Sequence, residues 1–336
     1  MRFQRGSACV MVAGALLLTA CGANVEDRTS SVTGGSVTVT NCGKPLTVSG
    51  IPTRVVTNDT GITEIMFALG LQDHLAGYTS YPGKERDIAS SPWRAQFHST
   101  PKLGDSFSRE VVQAADPDLV FAGWNYGFKE STGLTPDWVR QIGAVPYQLT
   151  EACRQPGTTA RGLMEPLEAL YADLTNLGDI FSVRDRADEL VVGYRRQVSA
   201  AKATVPAGQS PARVFLFDSA DPEPFTTGRT AAPSQIIREA GGRNIFDDLN
   251  DSWTSISWEA AAQRDPEAII IVDYGAGPAN SVASKIEQLR RQPLMAGTTA
   301  VRDGNFIALP YAALVESPRN PQSVATVAEY LRSKGF

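Results

Sequence analysis

SVRDRADELVVGYRRQVSAAKAT, residues 182–204, is the stretch that decides the fold of this 336-residue chain. Ala187, Leu190, Val191, Tyr194, Val198 and Ala201 recur at steps of three and four, which puts them on one stripe of a helix. The spacing predicts a single long helix over Ser182–Thr204. The segment Pro206-Ala207-Gly208-Gln209-Ser210-Pro211 breaks the chain directly after it. A helix of this length between two series of short strands reads as a connector of two halves.

Working outward, the upstream series opens with two alternating runs, Val37–Thr40 and Leu46–Val48, around the turn signal Asn41-Cys42-Gly43-Lys44. They predict a β-hairpin, closed by Ile51-Pro52. Strands at Arg54–Thr57, Leu75–Tyr78, Leu119–Ala122 and Val145–Leu149 then alternate with helices at Thr60–Leu69, after Ser108, and at Asp137–Ile142. Asp59 or Thr60 caps the first helix and Gly70 stops it. Downstream, strands at Arg213–Phe217, Ala268–Asp273 and Asn305–Leu309 alternate with helices at Pro233–Ala240, Val282–Arg291 and Pro321–Arg332. Such alternation predicts the α/β class, with mostly parallel sheets flanked by helices. The expected organisation is a signal at 1–20, a tether and hairpin at 21–52, a first lobe at 53–181, the linking helix at 182–204 and a second lobe at 205–336. No sequence repeat between the halves is evident.

A hydrophobic fraction of 42% with 20% charged residues supports a real core and argues against disorder. Arg2 and Arg5 precede an apolar run from about Ala8 to Leu18, the plan of a secretory signal. That run is too short to cross a bilayer, which takes ~20 residues. Leu18-Thr19-Ala20-Cys21 resembles the lipobox of bacterial lipoproteins. The resemblance implies cleavage before Cys21, lipid on its thiol and firm attachment to the outer face of the cytoplasmic membrane. Residues 22 to about 36 are rich in Gly, Ser and Thr and read as a flexible tether. Removing 1–20 leaves 29 basic against 36 acidic residues, with no basic run that would suit nucleic acid. Cys9 leaves with the signal, so Cys42 and Cys153 are the remaining pair. An oxidising exterior favours a disulfide between them, with two buried free thiols as the alternative.

Catalytic signals are sparse. His74 and His98 are not at metal-ligand spacing with another ligand, so no metal site is expected. Gly104-Asp105-Ser106-Phe107-Ser108 departs from a nucleophile elbow at its last position, and Gly275-Ala276-Gly277 lacks the third glycine of a dinucleotide fingerprint, with Asn280 in its place. Aromatic and Arg residues at strand ends stand out instead. In open α/β sheets ligands bind beyond the carboxyl ends of strands, and aromatic walls with a few polar groups make a small-molecule pocket. The candidate ligand-binding residues are Tyr78, Phe107, Trp124, Tyr126, Arg229, Trp253, Tyr274, Tyr311 and Arg319. Arg supplies a permanent charge for anionic oxygens. Glu110 and Glu239 read as solvated helix charges, although Glu239 near a helix carboxyl end is mildly unfavourable there. A lipid-anchored enzyme on the same frame would need an acid, base or nucleophile cluster, which the sequence does not show.

Several motifs carry a family resemblance: Pro52-Thr53-Arg54-Val55-Val56, Thr63-Glu64-Ile65 with Ala68-Leu69-Gly70, Ser108-Arg109-Glu110 with Asp116-Pro117-Asp118-Leu119-Val120, Gly241-Gly242-Arg243-Asn244-Ile245-Phe246, and Ser257-Trp258-Glu259 with Arg264-Asp265-Pro266. In order and spacing the chain resembles the substrate-binding lipoproteins of ABC importers for ferric siderophores and cobalamin, from about Val37 to its end. The resemblance implies two Rossmann-like lobes on one rigid helix, no enzymatic activity, no resident cofactor and action as a monomer. It implies capture of a chelate, with a ferric siderophore as the first expectation and Arg229 and Arg319 facing its oxygens. Iron would arrive already chelated. Cobalamin is an alternative, and the Gly123-Trp124 and Asp251–Ser255 segments resemble relatives proposed to carry a deazaflavin cofactor precursor. The resemblance also implies a partner, a permease dimer with its cytoplasmic ATPase, onto which Glu110 and Glu239 would dock. It pairs Cys42 with Cys153 as a staple between the hairpin and the first lobe.

Overall fold

The computed structural model describes residues 31–33, 35–275, 277 and 280–336. The expected signal, Cys21 and residues 22–30 lie outside them. No helix among the described residues is long and apolar enough to cross a membrane.

Strands Ser36–Asn41 and Lys44–Ser49 form the expected hairpin, with Val37 opposite Val48. Its two-residue turn needs positive φ twice, and Cys42 (51°) and Gly43 (71°) supply it. A short strand, Ser31–Thr33, adds to its edge. Cys42 is disulfide-bonded to Cys153, with 5.3 Å between their Cα atoms. Beside it, the Asn41 amide donates to Gln148 O at 2.7 Å and its Oδ1 accepts from Gln148 N at 2.9 Å. The hairpin is thus fastened to the first lobe covalently and by a side-chain clamp.

The first lobe's sheet runs Lys102–Gly104, Leu75–Thr79, Val55–Asn58, Leu119–Trp124, Val145–Gln148, with each neighbouring pair parallel. The second lobe's sheet runs Gly242–Asn244, Ala212–Phe217, Ala268–Asp273, Phe306–Pro310, also all parallel. Leu119-Val120-Phe121-Ala122 and the whole of Ala268–Asp273 are buried, as strands covered on both faces must be. Chain order reverses beside Val55–Asn58 and beside Ala212–Phe217, so each sheet has a switch point at its carboxyl edge. A small antiparallel sheet of Ser219–Ala220, Pro224–Thr227 and Trp253–Ser255, which alternation alone did not reveal, extends the second lobe at that edge.

The linking helix spans Arg184–Lys202 and packs against two others, Pro166–Ile180 and Asn320–Ser333. The connection is therefore a layer of three helices and not one isolated rod. Pro166–Ile180 was not expected, although Leu167, Leu170, Leu174 and Leu177 give it a helical stripe. Its Gly178 is required by close approach, since a Cβ there would lie 2.6 Å from the Ala187 Cβ. Arg195 grips Glu168 through two bonds of 2.8 and 2.6 Å, and Arg186 Nε donates to Ala68 O at 3.1 Å.

The structure also corrects the expectation that the halves share no repeat. Ser108 caps Arg109–Ala114 by accepting from Val111 N, and Ser257 caps Trp258–Gln263 by accepting from Ala260 N. Eight residues after each cap stands an Asp with positive φ, Asp116 (46°) and Asp265 (38°). Its carbonyl accepts from the Nε of an arginine, Arg54 at 2.8 Å and Arg213 at 2.7 Å. The backbone N of the same arginine donates to the carboxylate two residues further on, Asp118 or Glu267. One strand–helix unit is built twice, with Ser, Asp, Pro and Arg held constant and the apolar positions free to vary.

A candidate ligand-binding cleft between the lobes

The carboxyl ends of both sheets open onto one cavity of about 360 Å³. Asn58 ends one first-lobe strand and Asp59 follows it, and Asn125 and Tyr126 follow another. Asp218, Tyr274 and Tyr311 each follow a second-lobe strand. Phe225 and Trp253 come from the small antiparallel sheet, and Tyr81, Lys84 and Arg161 from first-lobe loops. The cavity lies where the switch points predict.

Asp59 is the pivot of its floor. It is buried in a left-handed backbone conformation (φ 79°) that a non-glycine residue adopts at a cost. Its Oδ1 accepts from Gly61 N at 3.1 Å and caps the helix Thr60–Ala68. Its Oδ2 accepts from the Tyr311 hydroxyl at 2.8 Å and lies 3.5 Å from Lys84 Nζ. Lys84 Nζ in turn sits 2.8 Å from the Tyr311 ring centroid, a cation held against a π face. Burial lowers the Lys84 ammonium below its usual range, opposed by the Asp59 charge. Burial raises the Tyr311 and Tyr126 phenols well above theirs, so both stay neutral donors.

Two aromatic pairs give the second-lobe side its flat surfaces. Tyr274 stacks on Tyr311 with centroids 5.1 Å apart and planes 25° off parallel. Phe225 stacks on Trp253 at 5.9 Å and 22°. The Tyr274 hydroxyl donates to Asp218 Oδ2 at 2.7 Å, which fixes its ring and satisfies a buried carboxylate.

Of the nine residues expected at the ligand, Tyr126, Trp253, Tyr274 and Tyr311 line this cavity. The other five lie elsewhere. Tyr78 packs edge-on against Phe97 in the core, and Phe107 is buried over Gly127. Trp124 lies beneath the Arg154 guanidinium at 3.5 Å. Arg229 is exposed and donates to Asn250 Oδ1 at 2.6 Å. Arg319 is buried and bonded to Glu64 (Nε to Oε2, 2.7 Å). Arg319 is consumed by Glu64, which corrects the expectation that it faces a chelate, and Arg229 stands outside the lining of the cavity. Asp59, Lys84, Arg161 and Asp218 were missed. Asp59 and Asp218 carried one available signal, their position directly after a strand; Lys84 and Arg161 carried none.

Glu110 is exposed in the first turn after the Ser108 cap, where the helix amides and the Ser108 hydroxyl hold its carboxyl below the usual range. Glu239 differs, being largely covered and 2.9 Å from Lys202 Nζ. In the duplicated unit the counterpart of Glu110 is Glu259, second after the Ser257 cap and exposed. No cluster of three or more His, Cys, Asp or Glu residues among the described residues could hold a metal.

The family profile described as periplasmic binding protein matches residues 55–313. A vitamin B12-binding protein of Salmonella paratyphi A is 29% identical over 244 residues, covering 70% of this chain and 76% of that one. An uncharacterized ABC transporter substrate-binding lipoprotein of Bacillus subtilis is 22% identical over 287 residues, covering 81% and 82%. The crystal structure of a periplasmic binding protein from Veillonella parvula aligns with a TM-score of 0.74 at 26% identity, over 90% of this chain and 99% of that one. An ABC-type Fe3+-hydroxamate transport protein from Saccharomonospora viridis aligns at 0.72 with 21% identity, over 88% and 98%, and shares the fold. With two parallel-sheet lobes, a cleft at their carboxyl ends and relatives that are transport receptors and not enzymes, the chain belongs to the periplasmic binding protein family.

Proposed function

We propose that the protein is the lipid-anchored receptor of an ABC importer whose cargo is a flat heteroaromatic molecule of flavin size, a deazaflavin cofactor precursor being the best fit. The observation that carries the cargo reading is the concentration of stacked ring surface, Tyr274 on Tyr311 and Phe225 on Trp253, around a cavity of about 360 Å³. That volume is near the lower end of small-molecule pockets, ~300–1,000 Å³, which supports a single ring system over a corrinoid. Of the two arginines expected to meet a ferric siderophore, Arg319 is buried against Glu64 and Arg229 lies outside the lining of the cavity. Attachment through Cys21 would keep the receptor beside its permease. Glu110 and Glu259, matched by the internal repeat, are the residues proposed to dock onto it.

Trp253 lines the cavity and reports on cargo directly. Titration with 8-hydroxy-5-deazariboflavin is expected to quench tryptophan fluorescence saturably, with weaker or no response to cyanocobalamin and ferrichrome. Silence toward the deazaflavin, or a tighter response to ferrichrome, overturns the cargo reading.

A further inference from the structure

Arg161 belongs to the first-lobe connection but is held by the second lobe. Its Nη2 donates to Trp253 O at 3.0 Å, its backbone N donates to Asp251 Oδ1 at 3.2 Å, and its carbonyl accepts from Thr230 Oγ1 at 2.8 Å. The side chain is nine-tenths buried and lines the cavity. Nη1 makes no hydrogen bond among the described residues. The one carboxylate oxygen of the described residues within 4 Å, Asp251 Oδ1, is 3.8 Å from Nε, beyond hydrogen-bond distance.

The other charges around the cavity are matched. Asp59 has Lys84 and the Tyr311 hydroxyl, and Asp218 has the Tyr274 hydroxyl. Glu151, a buried acid within the electrostatic reach of Arg161, accepts from Ala232 N at 2.9 Å through Oε1, while its Oε2 has no hydrogen-bond partner among the described residues. Arg161 is left as a guanidinium fixed in place with donor capacity to spare. A rigid fork of this kind is suited to a planar or charged oxygen acceptor.

We infer that Arg161 is the specificity-determining residue of the cleft, donating through Nη1 to an ionised oxygen carried by the aromatic cargo. The inference rests on the flat-ring reading above and adds the charge of the ligand to it. The oxygen belongs to one of two sources, an acidic hydroxyl on the ring or a phosphate ester on its side chain.

Three probes separate these sources: riboflavin, which has neither group, flavin mononucleotide, which has the phosphate, and 8-hydroxy-5-deazariboflavin, which has the acidic ring hydroxyl. The full chain is expected to bind at least one acidic probe roughly tenfold or more tighter than riboflavin. Arg161→Gln should abolish that preference, weakening the acidic probe roughly tenfold more than riboflavin, and Arg161→Lys should keep part of it. Equal binding of all three probes by the native chain overturns the inference and spares the flat-ring reading. Equal weakening of all three by Arg161→Gln also overturns it, since that is the mark of a structural role. Failure of the native chain to bind any of the three overturns both. Should Arg161→Gln not fold, the preference of the native chain and its partial retention in Arg161→Lys decide the matter.

Discussion

Glu64 and Arg319 form a buried ion pair that joins the first helix of one lobe to the start of the last helix of the other. Arg319 Nη2 also donates to Asp87 O at 2.8 Å, and Ser91 donates to Glu64 Oε1 at 2.5 Å, so few polar atoms of the pair are left over. Burial still raises the Glu64 carboxyl against the pull of Arg319. Removing one partner strands the other charge. Glu64→Gln is expected to cost about 3–5 kcal/mol in urea unfolding, whereas Glu64→Met combined with Arg319→Met should recover most of it. Neither residue lines the cleft, so cargo affinity should survive the double change; its loss in a folded protein would return Arg319 to the ligand. The same residue shows what the sequence could not tell. Tyr126, Tyr274 and Tyr311 were readable because they stand just past the carboxyl end of a strand, whereas Tyr78 and Trp124 are still inside theirs and pack against the protein. Arg319, Asp59, Lys84, Asp218 and Arg161 were not readable, because a charged side chain reads as solvated until tertiary packing buries it beside a partner.

At the scale of elements, hydrophobic periodicity located the linking helix and most parallel strands to within a few residues, but not the short strands Lys102–Gly104 and Gly242–Asn244 or the small antiparallel sheet. A helix and a repeated unit escaped it as well. The helix Pro166–Ile180 follows a stretch rich in Gly and Pro, and its stripe was lost in that irregular context. The duplicated unit was hidden because its constant residues are caps and carboxylates, and apolar pattern does not register them. On that unit the proposed docking pair is Glu110 with Glu259 in place of Glu239. Both Glu110 and Glu259 stand in the first turn of a Ser-capped helix, exposed, one in each lobe. Charged rim residues govern encounter and register more than cargo binding. Glu110→Ala with Glu259→Ala should slow cargo uptake by roughly tenfold or more, with titrated cargo affinity unchanged. Glu239→Ala should leave uptake intact, because its carboxylate is already engaged by Lys202. Uptake lost through Glu239→Ala and spared in the double variant would reverse the assignment.

For the whole molecule, the seam between the lobes is built on first-lobe carboxylates that meet second-lobe backbone and side chains. Ala312 N donates to Asp87 Oδ1 at 3.1 Å and Ala232 N to Glu151 Oε1 at 2.9 Å, beside the Tyr311–Asp59 and Arg319–Glu64 contacts. Behind Glu151 lie Glu316, whose Oε2 accepts from Glu151 N at 2.8 Å, and Asp173. Burial pushes the carboxyls of Asp87 and Glu151 up to about 7. For Asp87 the opposing influences are the Ala312 amide, Lys84 and Arg319; for Glu151 they are the Ala232 amide and Arg161. In the unfolded chain these groups titrate near ~4. Between about pH 4 and pH 7 the folded protein therefore holds protons that the unfolded chain has released, so stability falls as pH rises through that window. Above the folded values both states are ionised and the slope from these groups ends. Calorimetry is expected to give a higher melting temperature at pH 5.5 than at pH 8, and Asp87→Asn with Glu151→Gln should flatten the difference. A melting temperature that rises from pH 5.5 to pH 8 would mean that the seam carries these carboxylates ionised, and that the lobes are held by charge and not by neutral hydrogen bonds.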